Sequence, residues 1–275
     1  MKYKLIAMDL DGTLTNSDKI ITPKTKQVLI ELEKLGVKLV LASGRPTPGL
    51  YNFAKELEFD KYGGYLLSYN GAAVHRYPSN KCIYSNTIRT KYILPIINNA
   101  KALGLDVIIY DKDDIVIDNP DTYKADYEQR INDMGCKVVD DLRHYIDFEL
   151  NKLLITGKEE HLEKVYDDFK LPFGDRLEIC TSAPFYIEVV SNGINKARGL
   201  AEIALHEGIK SEEMIAFGDE MNDYQMLDYV GHGVAMGNAR QTIKEIADEV
   251  TLSNDEDGIA ESLLAIFKEE LKDLH

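Results

Sequence analysis

The sequence predicts an α/β protein in which a parallel sheet, covered by helices, is interrupted by an inserted α+β unit. Short apolar runs alternate with helical patterns up to residue 82, and the same alternation returns near residue 186. The residues between these two regions lack the regular alternation of apolar runs and helical patterns, and they show a hairpin pattern instead. Because alternating strands and helices build parallel sheets, we expect core segments 1–82 and 186–275 and an inserted domain 83–185.

The first core segment opens with a buried strand at residues 3–8 and a second strand at 37–42. Between them, Thr22 can cap a helix and Pro23 suits its first turn. Apolar residues spaced for one helix face follow, and Gly36 ends the pattern. These signals predict a strand–helix–strand unit.

The second core segment is predicted from a strand at 186–190, a helix at 196–206 and a strand at 214–217. Within the insertion, two apolar runs flank an acidic turn over residues 107–117, which is typical of an antiparallel hairpin. The insertion also carries helical patterns at 90–103, 121–134 and 159–169.

Charge and cysteine content restrict the possible partners and location. Lys and Arg number 32 against 47 Asp and Glu, a net charge of −15. Nucleic-acid and anionic-membrane binding rely on basic residues, so we expect neither partner. The three cysteines show no paired spacing, the N-terminus does not resemble a signal peptide, and no apolar run is long enough to span a membrane. The expected location is the cytoplasm.

The strongest local signal is an acidic motif directly after the first strand. Asp9 and Asp11 stand two residues apart, and Gly12 allows a sharp turn. Ligands of parallel sheets bind beyond the carboxyl ends of the strands, and two carboxylates there need a cation or a proton nearby. A solvated acidic loop is the alternative, and this motif alone does not decide between them.

Three further signals follow strand ends or helix starts. Residues 217–223 end a strand and carry acids that suit Mg²⁺, although Asp219 or Asn222 could simply cap a helix. Ser43 and Gly44 precede a helix and could bind an anion, or Ser43 could be an ordinary cap. Lys196 starts a helix and would balance a phosphate and carboxylates. Together the four signals supply the parts for phosphoryl transfer through an aspartyl phosphate.

These stretches resemble the four signature motifs of the haloacid dehalogenase-like hydrolases, and more closely the Cof-type sugar-phosphatase branch with a C2B cap. Residues 70–72, 234–239 and 256–259 are similar to further stretches of that branch. The resemblance implies a Rossmann-like parallel-sheet core with an inserted C2B-type cap. It also implies a Mg²⁺-dependent phosphatase whose partner is a small phosphorylated metabolite, above all a sugar phosphate.

The resemblance implies a role for each motif residue. Asp9 would be the nucleophile, and Asp11 the group that protonates the leaving oxygen and then activates water. The implied metal ligands are Asp9, the backbone carbonyl of Asp11, Asp219 and, through water, Asp223. The residues implied to hold the phosphoryl group or substrate are Leu10, Ser43, Gly44, Lys196 and Asn222. We expect crowding by anions to favour a protonated Asp11.

Two other functions use similar parts. A phosphotransferase or phosphosugar mutase of the same superfamily shares the Asp-x-Asp motif and would need a bisphosphate activator. A non-enzymatic phospho-aspartate switch also combines acids, Mg²⁺, a hydroxyl and a lysine, but it lacks the second aspartate and so long an insertion. The sequence indicates neither which metabolite is the substrate nor the oligomeric state.

Overall fold

The computed structural model describes residues 1–274; His275, the last residue of the predicted core segment 186–275, lies outside them. The strands are, in chain order, β1 (Leu5–Asp9), β2 (Lys38–Ala42), β3 (Gly64–Ser68), β4 (Ala73–Tyr77), β5 (Lys81–Ser85), β6 (Asp106–Asp111), β7 (Asp114–Ile117), β8 (Gly135–Val138), β9 (Lys152–Thr156), β10 (Leu177–Ala183), β11 (Tyr186–Ser191), β12 (Met214–Gly218), β13 (His232–Ala235) and β14 (Glu249–Val250).

The α-helices are α1 (Pro23–Lys34), α2 (Tyr51–Glu56), α3 (Phe59–Tyr62), α4 (Thr90–Ala102), α5 (Ala125–Asn132), α6 (Leu142–Tyr145), α7 (Glu159–Lys170), α8 (Lys196–Glu207), α9 (Tyr224–Tyr229), α10 (Gln241–Ile246) and α11 (Gly258–Ile266). Short 3₁₀ segments cover Thr47–Leu50, Tyr69–Gly71, Gly174–Arg176, Ser211–Glu213, Met221–Asp223, Asn254–Glu256 and Lys272–Leu274. Every helix in the described range is too short or too polar to cross a lipid bilayer.

The first compact unit joins Met1–Tyr84 to the chain from Asn195 onward. Its eight-stranded sheet has the order β14-β13-β12-β1-β2-β3-β4-β5. The strands from β14 to β3 pair in parallel, and β4 runs antiparallel to β3. The central strands β1, β12 and β3 are buried along their whole length, which is the pattern of a parallel sheet with both faces covered. The predicted α/β class is confirmed.

The second compact unit is Ser85–Ile194. Its six-stranded sheet has the order β10-β11-β9-β6-β7-β8 and is antiparallel except for the β7–β8 pair. The predicted hairpin over residues 107–117 is present as β6 and β7. A separate apolar core lies between this sheet and helices α4 and α7. The predicted segment limits, 1–82, 83–185 and 186–275, stay predictions.

One strand was assigned to the wrong sheet. The predicted strand 186–190 was expected to lie in the parallel core, but β11 pairs with β9 and β10 in the six-stranded sheet. Ile187 and Val189 pack into the apolar core of the second unit, whereas Glu188, between them, faces away. Tyr186 and Val190, on the same face as Glu188, are buried as well, so the apolar pattern of β11 did not decide between a parallel and an antiparallel strand.

The predicted start of the first helix is confirmed in detail. The Thr22 side chain accepts a hydrogen bond from the Thr25 backbone N–H, and Pro23 is the first helical residue of α1. The helix ends at Lys34, just before Gly36. Of the four apolar residues whose spacing predicts one buried face, Val28, Leu29 and Leu32 are buried, whereas Leu35 follows the last helical residue and is 45% exposed.

The strand register sets the place of the functional groups. In the sheet, Asp9 lies level with Ala42 of β2, and Met8 lies level with Phe217 of β12. Since β1, β2 and β12 are parallel, the residues that follow each strand emerge at the same edge. Asp9, Ser43 and Asp219 are therefore brought to one edge of the sheet by the register alone.

A buried carboxylate on α1 lacks hydrogen bonds within the part of the chain that the structure describes, and the charge of Lys38 only partly offsets its burial. Glu33 is only 5% exposed, and neither of its carboxylate oxygens has a hydrogen-bond partner among residues 1–274. Burial, followed by the charge of Glu58, raises the pKa of Glu33 to about 8 from an ordinary value near 4.5. Between these values the folded protein keeps a proton that the unfolded chain releases. The free energy of unfolding therefore falls as the pH rises through this range.

We predict that Glu33→Gln, which cannot ionise, stabilises the protein by about 1–3 kcal/mol at about pH 8 and far less at about pH 5. Denaturant unfolding at both pH values measures the difference. Glu31→Gln is the control, because Glu31 lies on the same helix in a surface ion pair with Lys34 at 2.6 Å. An equal gain at both pH values would contradict the prediction.

Candidate active site

A buried lysine occupies the centre of the site. Lys196, the first residue of α8, is fully buried, and its Nζ donates to Asp9 and, at 2.6 Å, to Oδ1 of Asp223. Burial disfavours the ammonium, but the charges of Asp223 and Asp9 outweigh it and raise the pKa of Lys196 above its ordinary value. Lys196 is therefore a cation held by two carboxylates.

Asp223 also orders the loop that precedes it. Its Oδ2 accepts the backbone N–H groups of Asp219 at 3.0 Å and Glu220 at 3.1 Å. With Oδ1 accepting from Lys196, both oxygens of this fully buried carboxylate are used by the protein. This arrangement agrees with Asp223 supporting a metal ion through water and not binding it directly.

Asp219 is positioned by the turn after β1. The Thr13 hydroxyl donates to Oδ1 of Asp219 at 2.8 Å. Gly12 lies against the other carboxylate oxygen with φ +86°, and a Cβ at this position would collide with it. Burial, and then the neighbouring charge of Asp223, raise the pKa of Asp219 to about 6 even though the Thr13 hydrogen bond opposes them.

The three carboxylates around Lys196 carry more negative charge than this lysine can balance. Carboxylate oxygens of Asp9, Asp219 and Asp223 lie within 4.8 Å of one another, and Lys196 is the cation among them. Burial, and the charges of Asp223 and Asp219, raise the pKa of Asp9 even beside Lys196. An excess of buried negative charge on hard oxygen donors fits a divalent cation such as Mg²⁺. Asp9 and the unpaired oxygen of Asp219 would hold it.

Asp11 lies in different surroundings from those expected. Arg45 donates to both oxygens of Asp11, at 2.9 Å each, and Lys19 donates to Oδ1 at 3.0 Å. Burial opposes ionisation, but the hydrogen bonds and charges of Arg45 and then Lys19 hold the pKa of Asp11 below its ordinary value. The expectation that anions crowd Asp11 and favour its protonated form was wrong, because two cations surround it instead.

The predicted anion-binding loop lies in the same compact unit as Asp9 and Lys196. Ser43 is buried at the end of β2, and its hydroxyl oxygen accepts the Arg45 backbone N–H at 3.2 Å. Gly44 lies against the side chain of Asn70, to whose Oδ1 the Asn222 side chain donates at 3.1 Å. The loops that follow β2, β3 and β12 thus meet here.

Leu10 differs from the other predicted residues because its side chain is fully buried. Its carbonyl accepts both the backbone N–H and the hydroxyl of Thr15, each at 2.9 Å. Any contact of Leu10 with a substrate would therefore use its backbone N–H.

Several contacts were missed at the sequence level. Thr13 directly follows Gly12 and Arg45 directly follows Gly44, but nothing in the sequence showed that they would pair with Asp219 and Asp11. Lys19 carried no signal at all. Asn70 was noted only within residues 70–72, the stretch similar to the Cof-type branch, and was given no role, although a polar residue shortly after β3 is placed at the same sheet edge as Ser43.

The structure is that of an α/β protein with a buried cluster of acids and a lysine at the ends of its parallel strands. Comparisons with known proteins identify the family. The family model described as haloacid dehalogenase-like hydrolase matches residues 6–263. The phosphatase YitU of Bacillus subtilis, named for 5-amino-6-(5-phospho-D-ribitylamino)uracil, is 30% identical over 97% of this chain and 98% of its own.

Solved structures agree. A haloacid dehalogenase-like hydrolase from Bacteroides thetaiotaomicron has a TM-score of 0.92 and 38% identity, covering 96% of this chain and 100% of that one. A HAD subclass IIB sugar phosphatase, BT4131, has a TM-score of 0.77 and 27% identity, covering 96% and 99%. The chain belongs to the haloacid dehalogenase-like hydrolase family, in its Cof-type branch. The prediction of a phosphatase is confirmed.

The charge imbalance yields a prediction for Asp219→Asn. The amide can keep the Thr13 hydrogen bond but removes a buried charge, so without divalent metal the variant should be more stable than the wild type by about 1–3 kcal/mol at neutral pH. Mg²⁺ should raise the melting temperature of the wild type by mass action and leave that of the variant nearly unchanged.

Thermal unfolding with EDTA and with Mg²⁺ measures both effects. Asp18→Asn is the matched control, since Asp18 is exposed and lies on the same connection after β1. A variant that keeps the full Mg²⁺ shift would show that Asp219 is not a ligand, and a variant that is destabilised without metal would contradict the expected relief of buried charge.

Proposed function

We propose that this chain is a Mg²⁺-dependent phosphatase of small phosphate monoesters that works through an aspartyl phosphate on Asp9. The observation that carries the proposal is the buried pairing of Asp9 with Lys196 inside an acidic cluster. A carboxylate at a strand end is a nucleophile when a cation lies beside it to stabilise the charge of the incoming phosphoryl group.

In the first step a carboxylate oxygen of Asp9 attacks phosphorus, and the bond between phosphorus and the ester oxygen breaks. The electron pair leaves with that oxygen, which takes a proton from Asp11. Lys196 and the Ser43 hydroxyl donate to the outer phosphoryl oxygens, where charge accumulates. Because Arg45 and Lys19 stabilise the ionised Asp11, proton donation requires Asp11 to exchange these contacts for the leaving group.

In the second step Asp11 takes a proton from water, and the water oxygen attacks phosphorus. The bond between phosphorus and Asp9 breaks, which restores the Asp9 carboxylate and releases inorganic phosphate. The pairing of Asp11 with Arg45 and Lys19 keeps the carboxylate in the ionised form that can accept a proton, but it also makes Asp11 a weaker base, so these contacts have to loosen in this step as well. When bound, Mg²⁺ would add positive charge beside the phosphoryl oxygens and offset the excess negative charge of the cluster.

Sugar phosphates and related polyol phosphates are the proposed substrates. The named relatives support this: one is a HAD subclass IIB sugar phosphatase and another acts on a phosphoribityl compound. We also propose that the inserted unit selects the substrate. It joins the first unit at Tyr84–Ser85 and Ile194–Asn195, and the second connection directly precedes Lys196.

Asp9→Asn should abolish turnover and leave the protein folded. The amide keeps the shape of the side chain but is not a nucleophile, so phosphate release from a small monoester should fall below detection or by at least about 10⁴-fold. Asp18→Asn again serves as the control and should match the wild type. Activity of the Asp9 variant within about tenfold of the wild type would refute the mechanism.

A phosphate-release screen over sugar phosphates, nucleotides and phosphoproteins tests the substrate class. We expect several sugar phosphates to be hydrolysed with broadly similar kcat/KM, since each recognition contact is worth only about 1–3 kcal/mol. EDTA should remove the activity, and Mg²⁺ should restore it without any added bisphosphate. A folded phosphoprotein hydrolysed faster than every small phosphate would refute the proposal. An aspartyl phosphate that persists without turnover would favour the switch alternative.

A further inference from the structure

The turn between β3 and β4 has an unusual backbone. Its three residues have positive φ values in succession: Tyr69 (+52°), Asn70 (+55°) and Gly71 (+98°). Most residues with a Cβ disfavour this left-handed region, although asparagine tolerates it, so the conformation of Tyr69 in particular depends on the contacts around it. Such strained positions cluster at functional sites.

The contacts that impose the turn come from the residues of the proposed phosphate site. The Asn70 backbone N–H donates to the Ser43 carbonyl at 2.9 Å, and the Tyr69 backbone N–H donates to the Arg45 carbonyl, also at 2.9 Å. The turn is therefore bound along its length to the loop that carries Ser43 and Gly44.

The same turn also touches the start of α8. A Cβ on Gly71 would collide with the backbone carbonyl of Asn195, and it would lie 3.3 Å from the Cα of Lys196. The close approach thus requires glycine at this position. It places Asn70 between the Ser43 loop and the helix start from which Lys196 reaches Asp9.

The side chain of Asn70 is half-buried and forms an amide pair with Asn222. Their one hydrogen bond, 3.1 Å long, joins Nδ2 of Asn222 to Oδ1 of Asn70, and neither side chain has another partner in the described chain. Two primary amides hold four N–H donors and two acceptors, so the pair keeps three N–H groups whichever amide donates. The Asn70 amide also lies directly against Gly44.

An excess of unpaired N–H donors beside Ser43 and Gly44 suits a ligand that offers only acceptors. We propose that Asn70 is a further substrate-contacting residue, which together with Asn222 presents amide N–H groups to the phosphoryl oxygens. The inference rests on the proposed function. It explains why an asparagine with a left-handed backbone, and not a glycine, occupies this turn: the side chain is needed as a donor.

Asn70→Gly separates this role from a structural one. Glycine adopts positive φ without strain, so the variant should melt no lower than the wild type. Its kcat/KM for p-nitrophenyl phosphate should nevertheless fall about tenfold or more, and its inhibition constant for inorganic phosphate should rise. Asn80→Gly is the matched control, because Asn80 is an exposed asparagine with φ +53° in another turn of the same unit.

Two further variants sharpen the test. Asn70→Asp should lose more activity than Asn70→Gly, because the carboxylate repels the phosphoryl group. Asn222→Ala should lower kcat/KM by itself but add little in the Asn70→Gly background, since the two amides act as a pair. The Mg²⁺-induced rise in melting temperature should be unchanged in Asn70→Gly, since Asn70 is not one of the carboxylates of the metal cluster.

The outcomes are distinguishable. An active wild type with Asn70→Gly indistinguishable from Asn80→Gly would overturn this inference alone. A loss of activity in Asn70→Gly that is matched by a fall in melting temperature would also overturn it, because the effect would be structural. No phosphate release by the wild type would overturn the proposed function and the inference with it.

Discussion

The pairing of Lys196 with Asp9 and Asp223 is the interaction on which the arrangement of the site depends. Lys196 has no exposed surface, so its charge is tolerated only because two carboxylates replace the water it has lost. These three residues come from α8, from the end of β1 and from the loop after β12. The ion pairs therefore require three distant parts of the chain to meet at one edge of the sheet.

Buried ion pairs contribute little net stability, since desolvation offsets most of the attraction between the charges. The core of the first unit is built from buried apolar side chains on the strands and helices of its sheet. The cluster also leaves two carboxylates with raised pKa values, which is unfavourable for the folded state at neutral pH. Its presence is better explained by the chemistry that we propose than by the stability of the fold.

The sequence predicted the parts of the site that follow from strand topology. Asp9, Ser43 and Asp219 each come directly after a strand, and parallel strands bring their carboxyl ends together, so the convergence could be anticipated without coordinates. The parallel core and the helix that starts at Thr22 and Pro23 were predicted for similar reasons. In each case a local pattern with a known period or cap was sufficient.

The features that the sequence did not predict depend on the conformations of long side chains or on which of the two sheets a strand joins. Arg45 directly follows the predicted anion-binding residues Ser43 and Gly44, and its pairing with Asp11 is set by side-chain conformation, not by sequence spacing. The strand β11 is apolar enough for either sheet. It carries apolar residues on both faces, and the helix that follows it favoured the parallel interpretation.

The spacing of Asp9 and Asp11 in the sequence could not reveal that the two carboxylates lie in different surroundings. The two carboxylates stand two residues apart, yet one is buried among acids with a raised pKa and the other is held by Arg45 and Lys19 with a lowered pKa. Environments that separate the pKa values of neighbouring acids are the usual basis for dividing roles between them. Under the proposed function, Asp9 beside Lys196 attacks phosphorus, while Asp11 donates a proton to the leaving oxygen in the first step and accepts one from water in the second. The contact between Arg45 and Asp11 favours the ionised form of Asp11. Asp11 can therefore donate a proton only after this contact has been exchanged for the leaving group.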